Sequence, residues 1–370
     1  MTTTIEDMST EQEDMSTEQA EAFAGRIFES VIGMLDGWSI YVGDKLGLYE
    51  ALASKPLTRD ELVSETSTHW RYVGEWLEQQ VTTGILEVDD PAAPAEERVY
   101  SLPAGHREVL TDRDSLNYLT PFVRLVTAGG IQLPALLEAY RSGGGVSWEQ
   151  FGPDMRTGQA EMNRPWFMNE IGVSWFPTVP ALHERLSRPD ARVADIGCGE
   201  GWSSIAIAKA YPGLTVDGYD VDEASMAAAR GHASAEGVAD RVRFHTVDGA
   251  DISEAGQYDV VTLFECLHDM SDPVSVLDTA RRLAKEDGQV VVMDEAVGDA
   301  FGDRQDEVER LMYGFSLFIC LPDGLSHENS VGTGTVMRPA QLEAYAISAG
   351  FTGISVLPIA NDLWRFYQLH

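Results

Sequence analysis

In the second half of the chain, apolar residues fall in short unbroken runs, each closed by an acidic or glycine-rich step and followed by a helical stretch. Residues 191–196, 214–220, 241–247, 258–264 and 289–295 read as strands, with helices over 203–210, 223–235 and 274–285 between or after them. Buried parallel strands are near-continuous Val/Ile/Leu runs, and 258–264 and 289–295 fit that pattern best. A helix over 339–349 stops at Gly350, and two strands follow, 354–357 and 363–369. The short connection between them, 358–362, suits an antiparallel pair. Strand and helix alternating in this way predict an α/β domain built on a mostly parallel sheet.

The first half is patterned differently. Thr58-Arg59-Asp60-Glu61 is a capping box that opens a helix. A second helix starts at Thr68, carries Trp70, Val73 and Leu77 on one side and ends near Gly84. Residues 85–88 and 99–102 then pair across a loop, 89–97, rich in proline and acid. Helix, helix and hairpin together predict a winged helix. Between the two patterns, 111–186 reads as mostly helical and rich in aromatics. Residues 6–12 and 13–19 repeat the same seven letters, too polar to bury anything, and predict a disordered tail. The expected domains are a tail over 1–19, a winged helix over 20–110, a helical lid or linker over 111–187, and the α/β domain over 188–370.

Composition sharpens this division. At 370 residues the chain is too long for one core, and its formal net charge is −34. Residues 1–110 hold 7 Lys/Arg against 22 Asp/Glu, and Arg71 is the lone cation of the helix that would read DNA. Nucleic-acid affinity rests on cations meeting phosphates, so this winged helix would repel a duplex. No apolar run approaches the ~20 residues that span a bilayer. The acidic N-terminus is unlike a signal peptide. Cys198, Cys266 and Cys320 lack metal-ligand spacing and read as reduced thiols, which predicts a cytoplasmic protein with no membrane partner. Cys198 reads as a small residue filling a tight loop.

The candidate chemistry begins where the first strand of the α/β domain meets Gly197-Cys198-Gly199-Glu200-Gly201. Glycines let the chain turn sharply and let a ligand lie against main chain. The dinucleotide fingerprint needs a further glycine or alanine, but Trp202 stands there in one frame and Ser204 in the other. No Gly-Lys-Ser/Thr is present for a P-loop. Asp220 falls 19 residues past Gly201, at the end of the second strand, where a carboxylate can take two ribose hydroxyls. Asp217 and Asp222 are its neighbours and competitors, and Asp222 also suits a helix cap. The third strand ends at Asp248-Gly249, good turn chemistry in its own right, and Asp251 reads as a helix cap.

The Asp-x-Gly-x-Gly-x-Gly run from Asp195 resembles motif I of the class I S-adenosylmethionine methyltransferases. Four strand ends agree with that family, over roughly 188–370. The segment 41–53, around Gly-Asp-Lys-Leu-Gly-Leu-Tyr-Glu-Ala-Leu, resembles the N-terminal domain of the small-molecule O-methyltransferases, where a winged helix serves dimerisation. The resemblance implies a Rossmann-like seven-stranded sheet with its last strand antiparallel, S-adenosylmethionine as cofactor, a small-molecule acceptor and a homodimer. It implies cofactor contacts from Asp195, Gly197, Gly199, Gly201, Asp220, Val221, Asp248, Gly249, Phe264 and Glu265. In the family the matching helices form the substrate pocket, which would draw in Trp166, Phe167, Trp175, Phe176 and, from the helix over 306–321, Tyr313.

Methyl transfer to a hydroxyl needs alignment and removal of a proton, and a histidine titrating near 7 suits the second task. His268 lies just past the fourth strand. The run Leu267-His268-Asp269-Met270-Ser271-Asp272 resembles the family's Leu-His-Asp-Trp-Ser-Asp, whose histidine is the general base. Met270 in place of Trp alters the pocket's expected shape. Glu265 could orient His268 or meet the cofactor's amino group, and His245 reads as structural. No metal is expected. A facial triad of His268, Asp269 and His327, as in some related C-methyltransferases, is the open alternative. Two other functions fit the same fold: a transcriptional regulator with a cofactor-sensing domain, and a non-methylating, cyclase-type enzyme.

Overall fold

The computed structural model describes residues 3–302 and 306–370, with side chains from residue 16 onward. The chain forms two compact units. The first comprises residues 1–112 and 117–123, the second 113–116 and 124–370.

The first unit opens with a 43-residue helix, α1 (Thr3–Lys45). It takes in the repeat at 6–19, expected above as a disordered tail. Both copies are built largely of Glu, Gln and Met, good helix formers, and no proline or glycine interrupts them, so continuing the helix costs little. Helices α2 (Leu48–Ser54), α3 (Arg59–Thr66) and α4 (Trp70–Thr82) follow. Both halves of the capping box at Thr58 and Glu61 form as predicted. Strands β1 (Leu57–Thr58), β2 (Glu87–Val88) and β3 (Val99–Ser101) make a small antiparallel sheet in the order β1-β3-β2. The wing hairpin is as expected, whereas β1 is too short to leave a sequence pattern. Tyr49, Leu52, Leu62, Val73, Trp76, Leu77 and Tyr100 close the core of this unit.

Helices α5 (Ala104–Thr111), α6 (Thr120–Ile131), α7 (Leu133–Ser142), α8 (Trp148–Phe151), α9 (Pro153–Glu170) and α10 (Pro180–Leu186) fill the middle of the chain. After them come β4 (Arg192–Ile196), α11 (Trp202–Ala210), β5 (Thr215–Asp220), α12 (Glu223–Ala235), β6 (Val242–Thr246) and β7 (Tyr258–Phe264). Then follow α13 (Pro273–Leu283), β8 (Ala284–Glu295), α14 (Glu307–Phe315), α15 (Leu321–Gly324), α16 (Pro339–Ser348), β9 (Ile354–Val356) and β10 (Trp364–Leu369). The expected helix over 306–321 is broken: a wider π-turn over Ser316–Cys320 separates α14 from α15. Asp287 and Gly288, in the gap expected between the helix over 274–285 and the strand over 289–295, lie inside β8, whose pairing with β7 slips between Tyr258 and Val260.

The seven strands stand in the order β6-β5-β4-β7-β8-β10-β9. All neighbours run parallel except β10, which is antiparallel to both β8 and β9. Alternate residues of each strand enter opposite cores, as the pleat requires. Val193, Val260, Val291 and Met293 face α9, α10 and α11, while Ala194, Val261, Val290 and Val292 face α13 and α16. The strand order reverses between β4 and β7, and ligands of open α/β sheets bind at such a switch, beyond the carboxyl ends of the strands. No single helix among the described residues is long and apolar enough to cross a membrane, though the bent pair α6 and α7 passes by length and composition together.

Candidate active site

The glycine loop after β4 is tied down from below. Asp195 is buried, and its carboxylate accepts from Ser203 and Ser204 Oγ, both at 2.6 Å, and from Thr262 Oγ1 at 2.7 Å. The structure therefore gives Asp195 a different part from the expected cofactor contact: three hydroxyls inside the protein occupy it, and it clamps β4, β7 and α11 together. Above it, the Gly197 and Cys198 amides donate to the Tyr219 carbonyl. Gly201 turns with φ +84°, and a Cβ there would lie 2.6 Å from Phe244. Gly199, φ +52°, has nothing within 4 Å of where its Cβ would stand. One glycine is demanded by packing, and the other leaves an open face.

Asp220 closes this loop from β5. One carboxylate oxygen accepts the Gly199 amide at 2.9 Å and the other the Asp222 amide at 2.9 Å. Burial pushes its pKa up against the pull of those amides. The two competitors are committed elsewhere. Asp217 accepts from Arg192, Tyr258 and His245. Asp222 caps α12 through the Ser225 amide and takes a forked pair from Arg156 at 2.8 and 3.2 Å. Asp248 is exposed and holds its own turn through the Ala250 amide, with Gly249 half-buried beside it, and Val221 is exposed.

The loop after β7 carries the second half of the site. Glu265 sits in the left-handed region at φ +48°, a conformation costing about 1 kcal/mol or more for a residue with a Cβ. That turn aims its carboxylate at Asn163 Nδ2, Gln159 Nε2 and Trp364 Nε1, all of which donate to it. Burial outweighs these donors and pushes the Glu265 carboxyl up to about 7. His268 is buried three residues on. Its Nδ1 pairs with Asp294 Oδ1 at 2.9 Å, and its Nε2 stands 3.4 Å from Asp269 Oδ1. Burial alone would lower its pKa, but the carboxylates of Asp269 and Asp294 prevail and hold it well above the ordinary histidine value. Cys320, at the end of the π-turn, lies against both His268 and Asp269. His327 is exposed and stands outside this cluster, so the alternative triad loses its third member.

Several expected contacts belong to the core instead. Phe264 packs its ring 6.0 Å from Phe167 and 6.3 Å from both Phe176 and Phe366. Phe167, Trp175 and Phe176 are buried there, and Trp175 meets Phe366 edge-on at 5.0 Å. These rings face inward because α9 and the wider π-turn that follows it, Ile171–Trp175, pack onto one side of the sheet in a shared core. Trp166 is half-buried against Trp364. Tyr313 remains part-exposed beside Arg338. Sequence reasoning missed Arg156, Gln159 and Asn163, a polar stripe at i, i+3 and i+7 along α9 that addresses Asp222 and Glu265. It also missed Asp294 and Cys320. The pair Asp294-Glu295, closing an otherwise apolar strand, was the signal available for the first.

Four buried acceptor oxygens at or near this edge lack a hydrogen-bond partner among the described residues: Asn163 Oδ1, Asp269 Oδ1, Asp294 Oδ2 and Glu295 Oε2. Orphaned acceptors cost about 1–3 kcal/mol each and call for a cationic or hydrogen-donating ligand. An open glycine turn, a carboxylate at the end of the second strand and an excess of acceptors fit an adenosyl sulfonium, with its hydroxyls, ammonium and positive sulfur.

Fold and site together define a class I methyltransferase. Residues 194–290 match the methyltransferase domain family, and residues 37–112 match the Rv2258c-like winged HTH domain family. A ubiquinone biosynthesis O-methyltransferase of Pseudomonas putida is 37% identical over 206 residues, covering 55% of this chain and 80% of that protein. Its Pseudomonas aeruginosa counterpart is 39% identical over 123 residues, 33% of this chain, so the chain spans about half the length of that relative. The fold is also that of mitomycin 7-O-methyltransferase (TM-score 0.70, 20% identity, 95% of this chain and 98% of that one). Human N-acetylserotonin methyltransferase, solved in complex with S-adenosylmethionine, is similar too (TM-score 0.69, 18% identity, 94% and 97%). The chain belongs to the class I S-adenosylmethionine-dependent methyltransferases.

Proposed function

We propose that the protein transfers a methyl group from S-adenosylmethionine to a hydroxyl or activated carbon of a small aromatic or polyketide-like metabolite, with His268 as general base. The observation that carries this reading is the meeting, at one sheet edge, of the open Gly199 turn, Asp220 and the His268–Asp294 pair. Gly197–Gly201 main chain and Asp220 would hold the cofactor's amino-acid tail and ribose, with Gly249 beside the base. Glu265, kept in place by Asn163 and Trp364, offers a carboxylate to its ammonium. When bound, the cofactor supplies a methyl group on a positively charged sulfur, ready for in-line displacement.

The chain's own task is then to align the acceptor and remove its proton. Asp294 takes the Nδ1 hydrogen of His268, which leaves Nε2 as the proton acceptor and stabilises the imidazolium that results. A raised pKa makes His268 a stronger base once it has lost its own second proton. The acceptor class is supported by the names of the structural neighbours, which act on mitomycin and N-acetylserotonin.

The exposed apolar face of α1, with Phe28, Val31, Leu35, Trp38 and Val42 at coiled-coil spacing, supports a homodimer built through the N-terminal unit. The acidic balance and the buried or half-buried cysteines support a cytoplasmic protein without nucleic-acid partners. Calorimetry tests the cofactor half: S-adenosylhomocysteine should bind at micromolar strength, and Asp220→Ala should weaken it at least tenfold. Mass spectrometry of products from a panel of phenols and enols tests the rest, through the added methylene mass. Absence of binding ends the reading, and binding without that mass in any product favours the cyclase-type alternative.

A further inference from the structure

The cluster of buried His268 with half-buried Asp269 and Cys320 is not used up by methyl transfer. One ligand-type atom from each, an imidazole nitrogen, a carboxylate oxygen and Sγ, lies within 4.8 Å of the other two. The imidazole nitrogen is Nε2, because Nδ1 is taken by Asp294 at 2.9 Å. That arrangement is what a metal-bound histidine needs, since its second nitrogen donates to a carboxylate that sets the tautomer and ring orientation. Asp269 Oδ1, 3.4 Å from Nε2, is among the buried oxygens without a hydrogen-bond partner in the described residues. A hard oxygen, a nitrogen and a soft sulfur this close together form a donor set suited to zinc and similar borderline divalent ions.

We infer that His268 Nε2, Asp269 and Cys320 form a binding site for one zinc-class divalent cation, oriented by Asp294. The π-turn over Ser316–Cys320 is the local device that delivers the thiol, since the wider turn sets Cys320 off the ordinary register of α14. The inference goes beyond methyl transfer. An ion on Nε2 occupies the nitrogen that would receive the acceptor's proton, so cation and proton compete for one atom, and a loaded site holds turnover back.

Binding also displaces hydrogen ions. The groups facing this point are Asp269, Asp294, Glu265 and Glu295 around the imidazole, with Asp323 within reach of the Asp269 charge. The thiol proton and the second imidazole proton must both leave, so affinity falls as pH falls.

Cobalt(II) is the probe, titrated into the full-length reduced protein without cofactor. Expected are one ion per chain, a near-ultraviolet thiolate-to-cobalt charge-transfer band, competition by zinc, and an affinity at least tenfold weaker at pH 6 than at pH 8. Cys320→Ser should abolish the band, whereas Cys198→Ser and Cys266→Ser keep it. Asp269→Asn, which leaves the thiol in place, should weaken the ion at least tenfold, and circular dichroism reports whether each variant folds. A band that survives Cys320→Ser, or wild-type protein that takes up no ion at micromolar concentration, overturns the inference. S-adenosylhomocysteine binding is measured separately on the same protein, so failure of the cation site and failure of the methyltransferase reading are told apart.

Discussion

At the scale of single residues, the site is a cluster of carboxylates whose protonation is set by burial and by one histidine. In the proposed reaction His268, paired with Asp294, would remove the proton, and an opposite charge in contact raises a histidine's pKa. The acidic limb of the pH–rate profile is therefore expected above histidine's ordinary value of about 6.5. Asp294→Asn should move it down and lower kcat, because the amide neither stabilises the imidazolium nor enforces the tautomer. A limb that stays in place would remove Asp294 from the mechanism.

Glu265 makes a second prediction at this scale. Its folded pKa of about 7 lies above its value of 4.5 in the unfolded chain. A raised carboxyl contributes stability that is complete below the unfolded value and is lost as pH rises through the folded one. Urea unfolding of the cofactor-free protein should thus show stability falling between about pH 4.5 and 7, and Glu265→Gln should flatten that slope. The same slope in both proteins would mean that another group titrates there.

Among elements, α9 does the most to assemble the site. Its apolar residues, Ala160 and Phe167, sit in the core shared with the sheet. Its polar stripe reaches the loops after β5 and β7, through Arg156 and through Gln159 and Asn163. One helix thus fixes both loops, which explains how Glu265 is kept in a strained turn. The N-terminal unit depends on its caps in a simpler way. The Thr58 hydroxyl accepts the Glu61 amide, and the Glu61 carboxylate returns to the Thr58 amide. Thr58→Ala should lower the stability of that unit by about 1 kcal/mol in denaturant melts. S-adenosylhomocysteine affinity should stay unchanged, since the loss is confined to a helix start remote in sequence from the glycine loop.

For the molecule as a whole, two properties dominate: the net charge of −34 and the apolar face of α1. A charge of that sign opposes close approach to nucleic-acid phosphates. A seam of Phe28, Leu35 and Trp38, about half exposed or more, is costly to leave in water, at roughly 25 cal/mol per Å² of apolar surface. The double substitution Leu35→Glu and Trp38→Glu should shift sedimentation from dimer to monomer. A wild-type chain already monomeric at micromolar concentration would show that this face serves something else.

How much could be read beforehand varies with what fixes each feature. The order of strands and helices, the antiparallel closing pair, the capping box and the place of the glycine loop and His268 are all local. They follow from hydrophobic period, turn chemistry and helix starts, which neighbouring residues set among themselves. The length of α1, the break before Cys320, the part played by Asp195 and the burial of Phe167, Trp175, Phe176 and Phe264 were not legible. Nor was the convergence of Asp294, Asp269 and Cys320 on one imidazole. Those depend on contacts between residues far apart in the chain: Asp195 with Thr262, 67 residues on, and His268 with Asp294 across the neighbouring strand. A residue's type states which bonds it can make, and only the packing of the sheet against its helices decides which partner is within reach.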